Sequence, residues 1–167
     1  MMLNQLSRRD WLTLVGGGAL ALVAGGVVLA KTMNLAACPL CILQRMLYLT
    51  LLLEAMLAWP LANRGAGRIA SLLMACTAAT GVYFAGYQTW LQRFAGNVSC
   101  TADQPWWEQM VYWAGAKVPL LFEATGLCSE AGWKFLGLSI AEWSLLIFSA
   151  MTAICLLAAR KRKTRSL

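Results

Sequence analysis

The sequence contains no histidine. That excludes haem held by imidazole, zinc sites that need a histidine ligand, and any nucleophile activated by an imidazole base. Charge is scarce as well: 13% of the 167 residues are Asp, Glu, Lys or Arg, against about 25% in an ordinary soluble domain. Long stretches carry no charge, and 60% of the chain is hydrophobic. A single integral membrane domain spanning residues 1–167 is the expectation, with no room for a second folded unit. The residues left to carry chemistry are six cysteines: Cys38, Cys41, Cys76, Cys100, Cys128 and Cys155.

Four stretches are long enough to cross a bilayer, at 12–30, 42–61, 69–91 and 143–159. Unpaired backbone cannot face lipid, so all four read as helices. The fold class is therefore an all-α membrane protein, a bundle of four transmembrane helices with a long periplasmic loop at 92–141. The second span is the least clean, because it holds Gln44, Arg45 and Glu54; no role follows for Glu54. The last span is short, and tilt together with the flanking 136–140 accommodates it. Trp11, Trp59, Trp90 and Trp143 fall at span ends, where interfacial aromatics collect.

The loop is too apolar for a free tether. Pro105 can open a short helix whose Trp106, Met110, Trp113 and Ala114 share one face, and Gly115 could end it. Pro119 could begin a second turn through Leu120, Leu121 and Phe122. Both segments read as interfacial helices lying along the membrane. Ser139 and Glu142 have the spacing of a capping box before the last span.

An even number of spans places both termini on one side. That side carries Arg8, Arg9, Arg64, Arg68, Arg160, Lys161, Arg162, Lys163 and Arg165 against the single acid Asp10. On the other side five bases (Lys31, Arg45, Arg93, Lys117 and Lys134) meet five acids. Basic short loops stay in the cytoplasm, so the termini lie inside. The net charge of +7 is read as this topology signal, with lipid headgroups as its partner, and not as nucleic-acid binding. Cys38, Cys41, Cys100 and Cys128 then face the oxidising compartment outside a bacterial inner membrane. Cys76 and Cys155 lie within spans and read as plain packing residues.

Cys38-Pro39-Leu40-Cys41 places two thiols at the start of a helix. Pro39 suits the first helical position, which makes Cys38 a cap residue and puts Cys41 in the first turn. Free amides and the helix dipole favour an anion there, so a thiolate is stabilised. Arg45 falls four residues beyond Cys41 on the same face, and Gln44 adds a donor at three. Together they could hold a carbonyl oxygen of a quinone. Half of a zinc knuckle is the competing reading of Cys-x-x-Cys, but Cys100 and Cys128 are too far apart in sequence to supply a second knuckle, and no metal is expected.

The run Cys38-Pro-Leu-Cys-Ile-Leu-Gln-Arg45 resembles DsbB, the family of quinone-linked disulfide oxidases. So do Pro119-Leu-Leu-Phe-Glu-Ala-Thr-Gly-Leu-Cys128 and Gly132-Trp-Lys-Phe-Leu-Gly-Leu-Ser-Ile-Ala-Glu-Trp143. The likeness extends from the first span to the last. It implies that Cys100 is attacked by a reduced DsbA-type periplasmic oxidase and that Cys128 is its partner and relays to Cys38. It further implies that Cys41 faces a membrane quinone, ubiquinone or menaquinone, with Arg45 helping to bind it. Gln44 would tune the site, since family members carry Glu or Gln there. The rival that keeps the fold is a non-enzymatic membrane scaffold with structural disulfides. A second rival takes Leu35-Ala36-Ala37-Cys38 as a lipoprotein cleavage box. Lys31-Thr-Met-Asn34 separates it from the apolar run that a genuine box would abut.

Overall fold

The computed structural model describes residues 7–62, 65–94 and 105–160. Cys100 lies outside these residues, as do Arg64, Asp103 and the basic tail from Lys161 onward. Among the described residues, four helices are long and apolar enough to cross a membrane. They are α1 (Arg8–Thr32), α2 (Pro39–Ala58, continued by a 3-10 turn at Trp59–Leu61), α3 (Ala66–Phe94) and α6 (Ile140–Arg160). Each starts before the span that marks it in the sequence, and α1, α3 and α6 also end beyond it. Polar residues at the ends join the helix because their side chains satisfy its free backbone groups. Ser7 and Asp10 form a reciprocal capping box on α1, and Ser139 and Glu142 do the same for α6.

Between α3 and α6 lie α4 (Trp106–Lys117), α5 (Pro119–Phe122) and a two-stranded hairpin, β1 (Lys134–Phe135) with β2 (Leu138–Ser139). The hairpin pairs Lys134 with Ser139 and Phe135 with Leu138. Its two turn residues, Leu136 and Gly137, both have positive φ, 52° and 81°. That is the backbone a tight antiparallel turn needs. Residues 136–139 are therefore not a helical extension of the last span, and α6 starts at Ile140.

Lipid tails are as apolar as leucine, so close packing holds a membrane bundle together more than dehydration does. Small residues permit that approach. A Cβ at Gly81 of α3 would overlap the ring of Phe148 on α6. Phe148 is fully buried and stacks on Tyr48 of α2, with ring centroids 4.2 Å apart and planes within 3°. Leu12, Val15 and Ala19 of α1, Leu51 and Ala55 of α2, and Met74 and Ala78 of α3 complete this core. Polar pairs cross between α2 and α3: Gln44 donates to Gln88 at 2.7 Å, and Thr77 donates to Glu54 at 2.8 Å.

Three sequence expectations need correction. Trp11 is 5% exposed and packs inside the bundle, so it does not belong to an interfacial belt. Cys76 is exposed on the outer face of α3, whereas Cys155 is buried. On α4 the face turned inward is Glu108, Val111 and Ala114, not the aromatic one. Trp106, Met110 and Trp113 point outward and are exposed. That helix also continues past Gly115 to Lys117.

Candidate functional site

The site is built at the start of α2. Cys38 is its N-cap residue, in extended backbone, and Pro39 takes the first helical position with fixed φ and no amide to satisfy. The Cys38 sulfur accepts the Cys41 amide at 3.3 Å and lies 2.7 Å from the Cys41 sulfur. Cys38 is buried and Cys41 is partly so.

The segment after α5 brings a third sulfur to this place. The amides of Thr125 and Gly126 both donate to the Ala37 carbonyl, each at 2.9 Å. Gly126 passes so close to the Ala36 carbonyl oxygen that a Cβ would overlap it. Two residues on, Cys128 reaches the Cys38 thiol and accepts a hydrogen bond from it, and the Leu40 amide donates to the same Cys128 sulfur. The first-turn amides of α2, unpaired in any helix, are thus spent on two different thiols. Cys38, buried, with its single thiol proton turned toward Cys128 and the Cys41 sulfur alongside, is held well above the ordinary thiol range. Cys128, as the acceptor, is held below it.

Around the pair stand three nitrogen-bearing side chains. Arg45, one turn into α2 from Cys41, donates to the Leu121 carbonyl of α5 at 2.5 Å. That contact fixes the guanidinium inside the protein, where an interfacial arginine would otherwise reach out to headgroups. Gln44 is 3% exposed and uses its amide nitrogen on Gln88. Gln88 in turn donates to Cys38 at 3.2 Å and to Cys41 at 3.1 Å. Sequence reading passed over Gln88. The signal was present, since a buried polar side chain within a span calls for a partner, but nothing in the sequence places α3 against the start of α2.

A cavity of about 480 Å³ opens from these residues between α1, α2, α6 and the segment 127–135. That is the size of a small-molecule site. Cys41, Gln44, Arg45, Tyr48, Gln88 and Ser144 supply its polar lining, while Leu22, Gly26 and Leu29 of α1 and Ile147 of α6 supply apolar wall. Two cysteines of the sequence-derived set, Cys38 and Cys41, line it directly, and Cys128 sits behind Cys38. The far side is tied down where α3 meets α6. Arg93 pairs with Glu142, and Ser139 donates to Gln92 at 2.8 Å.

Comparison with known proteins identifies a family. The family model described as "Disulfide bond formation protein DsbB" matches residues 8–158. A Disulfide bond formation protein B of Dechloromonas aromatica is 39% identical over 160 residues, covering 94% of this chain and 95% of that protein. Its counterpart in an Azoarcus species is 33% identical, covering 95% and 96%. A third, from Verminephrobacter eiseniae, is 34% identical, covering 99% and 94%. The match takes in all four bundle helices and the segment that carries Cys128, and by that extent the chain belongs to the DsbB disulfide bond formation family.

Proposed function

We propose that this chain is a thiol:quinone oxidoreductase of a bacterial inner membrane. It reoxidises a DsbA-type periplasmic dithiol oxidase and delivers the two electrons to ubiquinone or menaquinone. The observation that carries the reading is the meeting of three cysteine sulfurs with Gln88 and Arg45 at the mouth of an apolar cavity.

Thiol–disulfide exchange needs a thiolate, an accessible sulfur and a good leaving group. A thiolate of the soluble partner attacks Cys100 in a Cys100–Cys128 disulfide, and Cys128 leaves as a thiolate. Cys128 is suited to leaving, because the Leu40 amide donates to its sulfur and lowers its basicity. It then attacks Cys38 of a Cys38–Cys41 disulfide, and Cys41 leaves. The amide of Gln88 is in place to receive the charge on that sulfur. The partner's second thiol attacks its mixed disulfide with Cys100, releasing oxidised partner and a reduced Cys100. Re-closing both pairs removes two electrons and two protons in total.

The cavity suits a quinone. Its walls are apolar, and Cys41, Gln44, Arg45 and Tyr48 set polar groups along one face of α2. Arg45, Gln44 and Cys41 would hold the ring. A quinone, when bound, accepts the two electrons and two protons given up as a thiol pair closes. Both termini would lie in the cytoplasm and the cysteine pairs in the periplasm.

The test uses the purified full chain, a reduced DsbA-type oxidase and a soluble ubiquinone analogue, with quinone absorbance as the readout. Quinone is expected to be consumed one for one with partner dithiol, and Cys41→Ser to abolish this. Undiminished turnover in that variant would remove Cys41 from its role. Inertness of the wild type toward the dithiol would favour a scaffold with static bridges.

A further inference from the structure

The polar lining of the cavity continues below Arg45. Tyr48 lies four residues beyond Gln44, on the same face of α2 and one turn deeper. It is 6% exposed and lines the cavity. Its ring is fixed by the stack on Phe148. Its hydroxyl makes no hydrogen bond of ordinary geometry among the described residues. The polar side chain facing it is Ser144 of α6, which is buried and lines the same cavity.

Buried phenols normally find a partner, and leaving one unpaired is unfavourable. A phenylalanine would stack on Phe148 equally well and leave nothing unpaired. Ser144 is placed to donate to the phenol oxygen, and the phenol proton has no acceptor among the described residues until one enters the cavity. We propose that Tyr48, oriented by Ser144, is a second hydrogen-bond donor to the quinone ring and meets the carbonyl on the edge away from Cys41. Gln44 and Arg45 then serve the near carbonyl. Donors one helical turn apart, about 5.4 Å along the axis, match a ring with acceptors on opposite edges, which is the para-quinone class. The inference rests on the quinone reading of the site and adds a residue that sets affinity and ring orientation without touching the thiols.

The experiment compares wild type and Tyr48→Phe as full chains in detergent, with the cysteines oxidised so that no turnover occurs. Each is titrated with short-chain ubiquinone, following tryptophan quenching and the ligand-induced rise in the unfolding midpoint. The Kd is expected to weaken about threefold to tenfold in Tyr48→Phe, the loss of one hydrogen bond. The ligand-induced rise should shrink with it. The ligand-free midpoint should change little, since the phenol proton that the substitution removes has no acceptor among the described residues. Ser144→Ala, which keeps the phenol but not its guide, should weaken binding about twofold. An unchanged Kd in Tyr48→Phe, or a lowered ligand-free midpoint with an unchanged Kd, would overturn the assignment of Tyr48 alone. Absence of saturable binding by wild type would overturn the quinone reading and this inference with it.

Discussion

Gly126 is where the loop is held against the start of α2, and Gly126→Ala tests whether that contact delivers Cys128. The added Cβ would overlap the Ala36 carbonyl oxygen and lie 3.0 Å from its carbon. Backbone cannot yield there as the tip of a flexible side chain would, so the loop must lift. Lifting breaks the Thr125 and Gly126 amide bonds to the Ala37 carbonyl. At about 0.5–1.5 kcal/mol each, the two bonds together weaken docking by about 1–3 kcal/mol, a factor of about 5 to 150. The assay uses a chain carrying Cys41→Ser, Cys76→Ala, Cys100→Ser and Cys155→Ala, which leaves Cys38 and Cys128 as its thiols. Equilibration against glutathione, followed by alkylation and mass analysis, gives the effective concentration of one thiol for the other. That concentration should drop by the stated factor in Gly126→Ala, while the unfolding midpoint of the bundle moves little. An unchanged value would refute the idea that the close approach at Ala36 positions Cys128.

Two further outcomes follow from the polar contacts. Gln88→Leu leaves the buried Gln44 amide without its acceptor and should cost about 1–3 kcal/mol in denaturant unfolding. The double variant with Gln44→Leu should regain most of it, and additive losses would show that the two glutamines are not a pair. In the reduced protein, deprotonating Cys128 makes a thiolate that the Cys38 thiol stabilises, and the new charge then opposes loss of the second proton. Alkylation of Cys128 should therefore accelerate with pH at a midpoint below the ordinary thiol range, with Cys38 following only well above it. Cys128→Ser should bring the Cys38 midpoint down, and the opposite order of reactivity would refute the hydrogen-bond direction.

The helices were legible because lipid imposes one rule on long uncharged runs, and Pro39 after Cys38 marks a helix start in any solvent. The capping box at Ser139 and Glu142 was legible for the same local reason. What escaped depends on contacts between segments distant in sequence. Gln88 carries no local mark of its task, which appears only where α3 lies beside the first turn of α2. The turn at Leu136-Gly137 was hidden because leucine rarely takes positive φ, and the pairing of Lys134 with Ser139 enforces it. The inward face of α4 was misjudged because aromatic spacing marks a face without saying which side lipid occupies. Cys76 was misjudged likewise: an apolar run in a span does not show which of its residues look outward.

A guanidinium has several donors in a fixed fork, and at Arg45 one of them is committed to the Leu121 carbonyl. The same side chain faces the cavity. Under the proposed function, the segment that leads to Cys128 and the cavity that takes the quinone are thus joined through Arg45. A soluble protein that tugged on residues 119–122 would shift the charge felt by the electron acceptor before any sulfur had changed partners. Lysine would bring a compact point charge in place of the fixed fork that Arg45 divides between loop and cavity.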